Sequence, residues 1–199
     1  MLRRFVQLQA GLVLYGASMA LMIRAGLGLD PWDVFHQGIA DQAGLSFGTV
    51  VIVTGALVLL AWLPLRQAPG VGTISNIIVI GVVVDLALPV VPDAGSFPVG
   101  LAMLLSGVVL NGVAGGLYIG AGFGPGPRDG LMTGLVARTG GSIRVVRTSI
   151  EVAVLLVGAA LGGTVGLGTV VYALSIGPLV HAFLPRLTVR EPVPVPAPA

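Results

Sequence analysis

The chain of 199 residues contains no cysteine and no lysine, and charged residues make up only 9% of it. The absence of cysteine excludes disulfides, thiolate metal sites and a cysteine nucleophile. The low charge, together with 55% hydrophobic residues, excludes an ordinary water-soluble globular protein. All ten basic residues are arginine, and in so apolar a chain they indicate the cytoplasmic side of a membrane rather than a nucleic-acid surface.

What the sequence has instead is a series of apolar segments near or above the ~18 residues that mark a membrane span. The six segments are residues 5–25, 46–65, 72–91, 98–121, 143–162 and 166–185. We therefore expect an all-α, multi-pass transmembrane helix bundle, embedded in the lipid bilayer as a single membrane domain over residues 1–190. The end of the chain, EPVPVPAPA at 191–199, is rich in proline and is predicted to be a disordered tail.

Two polar stretches interrupt the apolar sequence, and they are 96 positions apart. GLGLDPWDVFHQGIADQAG occupies 26–44, and GFGPGPRDGLMTGLVARTGG occupies 122–141. The same spacing relates Asp33 to Asp129, and it relates glycines, threonines and prolines in the apolar segments. An ungapped spacing kept over so much of the chain indicates a duplication. The predicted repeats are residues 5–91 and 98–187.

Each polar stretch has the signals of a short helix. In the first stretch Asp30 suits the N-cap, Pro31 the first helical position and Gly44 the stop. A helix between them has about 13 residues and a length of ~20 Å, less than the ~30 Å of the hydrocarbon core. The sequence therefore predicts two short half-helices beside the six spans, and it leaves open whether they are re-entrant or lie at the interface.

The arginines predict the orientation of the spans. If each repeat crosses the membrane three times from an inside N-terminus, nine of the ten arginines are cytoplasmic and only Arg24 is outside. An odd number of crossings makes the second repeat enter from the opposite side, so the two repeats are predicted to be inverted. Both termini are then cytoplasmic.

Several motifs carry a resemblance to a known family. GLDPWDVFHQG, GTISNIIVIGVVVDL, GPRDGLM and VGLGTVVYALSIGPLV resemble the YczE branch of the YczE/YitT-type bacterial integral membrane proteins. The resemblance covers roughly residues 5–187, and PRDGLM and the paired G-x-G-T motifs are fairly specific within apolar sequence. It implies a multi-pass protein of the bacterial inner membrane. It implies no substrate and no set of functional residues, so function has to be argued from the residues themselves.

Asp33 and Asp129 hold equivalent places in the first turns of the two half-helices. One interpretation makes them gate or coupling residues, because discontinuous helices often meet at the central site of a transporter with inverted repeats. The other makes them helix-start carboxylates, each stabilised by ~0.3–1 kcal/mol through the helix dipole. Both interpretations hold if the half-helices are re-entrant.

Glu151 lies about eight residues into its span, at a depth of ~12 Å by helical rise. A charge there costs ~2.5–3.5 kcal/mol or more unless it is paired or protonated. Arg147, one turn earlier, is the expected partner; the pair either reaches the cytoplasmic face or leaves Glu151 as a protonatable group facing a cavity. Asn111, near the middle of its span, is expected either to bond between helices or to line a cavity.

Three further charged or titratable residues lie near the ends of spans. Asp85 and His181 are 96 positions apart, and they either line opposite mouths of one pathway or reach headgroups and water. His181 could sense pH if it faces a pathway. Arg24 either forms an ion pair with its nearest acids in the sequence, Asp30 and Asp33, or contacts an anionic substrate.

These features predict a small secondary transporter or exporter of an unidentified small solute, with protons as the candidate coupling ion and one repeat rocking against the other. The alternative is a scaffold or regulator that docks a second copy or another membrane protein, since glycines spaced four apart let helices approach closely. The sequence contains no hydrolase, metalloprotease or phosphate-loop motif, so we do not expect an enzyme. We expect no cofactor and no metal ion, because the chain has only two histidines and no second cluster of ligands.

Overall fold

The computed structural model describes residues 1–189, which form eight α-helices and contain no strand. The predicted tail at 191–199 lies outside the described residues. The helices are α1 (Leu2–Ala25), α2 (Pro31–Ala43), α3 (Phe47–Leu65), α4 (Val71–Ala87), α5 (Phe97–Gly120), α6 (Pro127–Thr139), α7 (Ile143–Ala160) and α8 (Leu167–Leu187). The all-α prediction is confirmed for this part of the chain.

The two short helices, α2 and α6, have 13 residues each, as their start and stop signals predict. Asp30 caps α2, because its Oδ1 accepts hydrogen bonds from the backbone N–H groups of Trp32 (3.0 Å) and Asp33 (3.2 Å). Gly44 ends α2 and Gly140 ends α6, both in the left-handed conformation that glycine adopts without strain. The polar stretches are therefore helices of ~20 Å that start and stop on local signals.

Four helices are long and apolar enough to cross a membrane, namely α1, α3, α5 and α8. The helix α4 is apolar but has only 17 residues, and α7 carries Arg144, Arg147 and Glu151 in its first half. Large apolar side chains are exposed along the long helices, as expected where lipid tails cover the surface. The described chain is therefore a multi-pass helical membrane bundle, with four spans recognised by length and composition.

The helices α1 and α5 pack against each other at the centre of the bundle, and they run in opposite directions. Near the start of α1, Gln7 Nε2 donates to the carbonyl of Leu117, late in α5 (3.0 Å). Further along α1, Ser18 Oγ accepts from Asn111 Nδ2, earlier in α5 (2.9 Å). Because α4 packs on α1 and α8 packs on α5, these four helices form the core of the molecule.

Each short helix packs mainly on a long helix of the other half of the chain, α2 on α7 and α6 on α3. Glycines allow the backbones of both helix pairs to come close together, as small residues do between membrane helices. A side chain at Gly158 of α7 would collide with the backbone of Phe35, and one at Gly130 of α6 would collide with the Trp62 ring. The halves are therefore interleaved, and neither repeat is a separate body that could rock as a unit, contrary to the expectation from the sequence.

Candidate functional site

The side chains at the starts of α2 and α6 meet inside the bundle. In the Arg128 guanidinium, Nη1 lies 3.5 Å from Asp30 Oδ1 and Nη2 lies 3.7 Å from Asp33 Oδ1. Arg128 Cζ lies 4.9 Å from the centre of the Trp32 ring, within cation–π distance. Trp32 and Arg128 are themselves 96 positions apart, so equivalent places in the two short helices face each other.

Asp33 is deeply buried in this cluster. Its Oδ1 lies 3.2 Å from His36 Nδ1, one turn further along α2. Its Oδ2 is buried and has no hydrogen-bond partner among the described residues. A carboxylate away from water is costly unless both oxygens are paired, so the neighbours of Asp33 compensate its burial only in part.

The starts of the two short helices differ in how they are capped. Asp30 caps α2, but the equivalent residue before α6 is Gly126, which has no side chain that could accept from the first N–H groups. The Asp129 carboxylate, in the first turn of α6, accepts a hydrogen bond from the Tyr118 hydroxyl through Oδ2 (3.0 Å). The two short helices thus differ, with an acidic cap at the start of α2 and a start without a side-chain cap, followed by Arg128, at α6.

A cavity of about 390 Å³ adjoins this cluster. Its volume lies within the ~300–1,000 Å³ that is usual for small-molecule sites. The polar, charged and aromatic residues that line it come from both halves: Tyr15, Asp30, Trp32, His36, Thr54, Asn76, Asn111, Tyr118, Arg128, Asp129, Arg147, Glu151, Tyr172 and His181. The starts of both short helices therefore face one common space.

The cavity extends between α7 and α8, whereas the equivalent helices α3 and α4 are packed together. A Cβ atom at Gly81 of α4 would lie 2.5 Å from Ile52 Cγ1 of α3, so the contact has no room for a side chain. The equivalent residue of α8, Gly177, has nothing within 4 Å of such an atom and lines the cavity. One pair of equivalent helices is closed, and the other pair is open.

Five of the eight predicted site residues line the cavity: Asp129, Glu151, Arg147, Asn111 and His181. Arg147 Nε donates to Glu151 Oε1 (3.0 Å), so the expected pair one turn apart is present. Asn111 Oδ1 accepts from the Tyr172 hydroxyl (2.9 Å) while its amide nitrogen bonds to α1. Asn111 therefore combines both expectations, because it bonds between helices and also faces the cavity; whether these residues bind a ligand stays a prediction.

Asp33 and Asp85 are not part of the cavity lining. Asp33 belongs to the cluster through its pairing with Arg128. Asp85 Oδ2 accepts from the Ser46 hydroxyl (2.6 Å), and its Oδ1 accepts from the backbone N–H of Gly48 (2.7 Å). Asp85 therefore fastens α4 to the start of α3, and it lines no open mouth in this conformation.

Arg24 does not pair with the acids nearest to it in the sequence. Its Nη1 lies 2.7 Å from Asp93 Oδ1, in the linker between the two halves. Its Nε and Nη2 donate to the carbonyl of Leu88 (3.1 and 2.7 Å). The expected pair with the acids of α2 is wrong, because those carboxylates face Arg128 inside the bundle. Arg24 instead holds the linker against the ends of α1 and α4.

Sequence reasoning did not single out Arg128 or Trp32 as site residues. The positive-inside argument counts Arg128 among the cytoplasmic arginines, but its guanidinium lies in the cluster with Asp30. One signal was available in the sequence. Trp32 and Arg128 are equivalent residues directly after Pro31 and Pro127, so half-helices that approach each other start-to-start bring these two side chains together.

Comparison with known proteins identifies the family. Residues 2–185 match a family of unknown function, DUF6198. An uncharacterized membrane protein of Bacillus subtilis (strain 168), YczE, is 34% identical over 179 residues, which cover 89% of this chain and 83% of the relative. The chain belongs to the YczE-type family of membrane proteins. The resemblance carried by the sequence motifs is therefore confirmed.

Two further relatives of this YczE-type protein cover most of its length. An uncharacterized protein of Haemophilus influenzae (strain ATCC 51907 / DSM 11121 / KW20 / Rd) is 40% identical over 173 residues, 87% of this chain and 79% of the relative. An uncharacterized protein of Bacillus subtilis (strain 168), YyaS, is 26% identical over 179 residues, 88% of this chain and 89% of the relative. No solved structure matches the chain. The geometry of the cavity is therefore the main indication of function.

Proposed function

We propose that this YczE-type protein is a small secondary transporter of a bacterial inner membrane, which moves a small solute by alternating access with protons as the coupling ion. In this proposal the chain crosses the membrane six times as two inverted repeats, with both termini in the cytoplasm. The observation that carries the proposal is the unequal packing of equivalent helices. The helices α3 and α4 are closed on each other, and α7 and α8 are open around the cavity.

Equivalent contacts support the inverted arrangement. The backbone N–H of Gly72 donates to the carbonyl of Phe123 (2.9 Å), and the residues 96 positions away make the matching bond, from Gly168 to Leu27 (2.7 Å). Each bond thus joins one half of the chain to the other with the roles exchanged. The helices α1 and α5 are equivalent and antiparallel, which is the relation expected of two repeats inserted in opposite senses.

Alternating access follows if the two packings exchange. In the opposite conformation α7 closes on α8, and α3 leaves α4, so that a cavity opens on the other side. The moving parts are a short helix with the long helix on which it packs, α2 with α7 and α6 with α3. The core of α1, α4, α5 and α8 stays in place, and the paired helices shift against it as packed bodies.

Asp85 and His181 are 96 positions apart, and one lies at the closed pair of helices and the other at the open pair. Asp85 is bonded to Ser46 and Gly48 across the closed α3–α4 contact. His181 lines the open cavity beside α7. When the packings exchange, Asp85 is released to a newly opened mouth and His181 is enclosed, which agrees with the sequence-based interpretation of two opposite mouths.

Carboxylates inside the bundle supply the candidate proton sites. Asp33 lies in the cluster with Arg128 and His36, Asp129 accepts from Tyr118, and both lie in a largely apolar bundle. Ionisable side chains inside a membrane are costly, and they mark ion pathways and proton relays by default. We infer that protonation of these carboxylates accompanies solute movement.

Proteoliposomes test the proposal. Purified protein is reconstituted with a pH-sensitive dye inside, and panels of small cationic, anionic and neutral solutes are added across an imposed proton gradient. We expect at least one panel to drive a proton flux above that of empty liposomes. Asp33→Asn, Asp129→Asn and Glu151→Gln should abolish this flux or uncouple it from the solute. Asp41→Asn is the matched control, since it changes an exposed carboxyl on the same short helix as Asp33.

Two outcomes would count against the proposal. Wild-type flux in all three variants would remove these carboxylates from the mechanism. An absence of flux with every panel, together with a stoichiometric protein partner in the purified sample, would favour the scaffold hypothesis instead. A scaffold has no evident use for a cavity that is lined by charged residues from both halves.

A further inference from the structure

The Arg128 guanidinium occupies a box formed by Asp30, Asp33 and Trp32, here called the cation box. Two carboxylate oxygens lie 3.5 and 3.7 Å from its nitrogens, and the Trp32 ring lies beneath its Cζ at 4.9 Å. Carboxylates bind guanidinium and ammonium groups by charge-assisted hydrogen bonds, and an aromatic face adds a cation–π contact. The cation box therefore has the chemistry of a site for an organic cation.

Arg128 is held in the cation box less firmly than a tight ion pair would be. Both nitrogen–oxygen distances exceed the ~2.7–2.9 Å of close charge-assisted bonds. The Arg128 side chain is 32% exposed, whereas the carboxylates of Asp30 and Asp33 are 4% and 1% exposed. The carboxylates are therefore fixed parts of the framework, and the arginine reaches them through the cavity with a long, flexible side chain.

Around the cavity and the cation box, carboxylates outnumber guanidinium groups. Glu151 is paired with Arg147 at 3.0 Å, so that these two balance each other. Asp30 and Asp33 then share the single guanidinium of Arg128, Asp129 lines the same cavity, and Asp33 Oδ2 has no hydrogen-bond partner in the part of the chain that the structure describes. Low-dielectric surroundings make uncompensated like charges costly, so the cavity favours a cationic ligand over an anionic one.

We propose that the cation box is the substrate site for a small organic cation, an alkylammonium or guanidinium group, and that Arg128 occupies it as a tethered cation until the solute displaces it. This inference rests on the proposed transport function and adds the substrate class to it. Exchange of one cation for another keeps the box occupied by a cation throughout. The protein can then change conformation with either cation bound, and it never has to enclose two unpaired carboxylates.

Removal of the tethered cation should let a free one bind. In Arg128→Ala, titration with guanidinium chloride or ethylammonium chloride at constant ionic strength should give a saturable change in tryptophan fluorescence, because Trp32 is a wall of the box. Addition of Asp30→Asn or Asp33→Asn should abolish the change. In the wild type Arg128 competes for the box, so the affinity for the added cation should be lower by a factor of about ten or more.

Control variants separate binding in the box from other effects. Trp32→Phe in the Arg128→Ala background should remove the signal, because Trp62, the other tryptophan, is buried and does not line the cavity. Arg24→Ala removes an arginine that pairs with Asp93 outside the cavity, and it should behave as the wild type. Arg128→Met removes the charge but leaves a long side chain at the position, and it should respond as Arg128→Ala does. It serves as the test variant if Arg128→Ala does not fold.

The outcomes are distinct from those of the flux experiment, because binding is measured without a gradient. The inference is overturned if folded Arg128→Ala or Arg128→Met shows no saturable response to either cation. It is equally overturned if the response persists in the two asparagine variants, or if acetate and phosphate bind and the cations do not. Cation binding without any flux would support the cation site and contradict the transport function. Flux driven only by anionic or neutral solutes would support the transport function and contradict the cation site.

Discussion

Asp30 and Gly126 hold equivalent positions before the two short helices, and the difference between them gives the site its charge. Asp30 caps α2 and also pairs with Arg128, whereas Gly126 leaves the start of α6 without a side-chain cap. Two positions further on, Trp32 and Arg128 differ as well, and the Arg128 Cζ lies over the Trp32 ring at 4.9 Å. The charged cluster thus lies where residues 96 positions apart differ, at the starts of the two short helices.

Gly130 is the residue at which α6 approaches α3 most closely. A Cβ atom there would collide with the Trp62 ring, which is fully buried and whose Nε1 donates to the carbonyl of Pro127 (3.0 Å). We expect Gly130→Ala to cost ~1–3 kcal/mol through overpacking. This exceeds the ~0.5–1 kcal/mol that alanine gains over glycine within a helix. The melting temperature of the purified protein in detergent should therefore fall by several degrees.

Gly177→Ala is the matched control for Gly130→Ala. It makes the same chemical change within a helix, but a Cβ atom at Gly177 meets nothing within 4 Å. No overpacking is then expected, but Pro178 follows directly and limits the gain in helix propensity, so the melting temperature should stay nearly constant. Equal losses of stability in the two variants would contradict the close packing of α6 on α3.

The short helices show which elements local sequence can predict. Asp30, Pro31 and Gly44 act within one turn of the residues that they cap or stop, so the bounds of α2 follow from neighbours in the sequence. The partner of α2 does not follow in this way. Its packing on α7 depends on Gly158 meeting Phe35, more than a hundred residues away, and no periodicity in either segment encodes that pairing.

Paired cysteines distinguish the two conformations proposed for the long helices. Gly55→Cys with Ile77→Cys puts two thiols across the closed α3–α4 contact, where the atoms nearest to a Cβ atom at Gly55 belong to the Ile77 side chain. Thr148→Cys with Gly177→Cys puts two thiols across the open α7–α8 gap, at the positions equivalent to Ile52 and Gly81. A disulfide needs Cβ atoms about 3.5–4.5 Å apart, so mild oxidation should cross-link the first pair in the described conformation and the second pair only after the packings exchange.

The cross-linking is read in native membranes as a shift in gel mobility that a reductant reverses. The chain has no cysteine of its own, so each single-cysteine variant is a background-free control. Both pairs should cross-link when tested separately, and either cross-link should stop the proton flux. A second pair that never cross-links, in a protein whose first pair cross-links fully, would mean that α7 and α8 do not close and would refute alternating access.

For the whole molecule, the sequence predicted the helical membrane bundle and the family but not the arrangement of the halves. The spacing of 96 positions states which residues are equivalent, and Asp33 and Asp129 do lie at the starts of equivalent helices. It does not state which surfaces meet. The interleaving of α2 with α7 and of α6 with α3 brings Arg128 to Asp30, so the cluster at the centre of the site could not be assembled from the sequence alone.

Helix directions within the bundle bear on how many helices cross the membrane. If α1 and α5 both cross, their antiparallel packing requires an even number of crossings between them, so we expect α4 to cross as well as α3. The helices α5 and α8 run in the same direction, since Gly112 lies beside Leu179 and Gly120 lies beside Leu187. That direction in turn requires α7 to cross. The packing thus favours six spans, although α4 is short and α7 carries three charges.

Single-cysteine labelling checks this arrangement. Ala68→Cys and Gly95→Cys flank α4, and Gly141→Cys and Val165→Cys flank α7. A membrane-impermeant maleimide, applied to intact cells and then to permeabilised cells, should reach positions 95 and 165 from outside and positions 68 and 141 only after permeabilisation. Phe97→Cys, exposed at the start of α5, is the control for outside access. Labelling of positions 68 and 95 from the same side would mean that α4 does not cross. The antiparallel α1 and α5 could then no longer belong to two inverted repeats, and the exchange of packings between them would lose its basis.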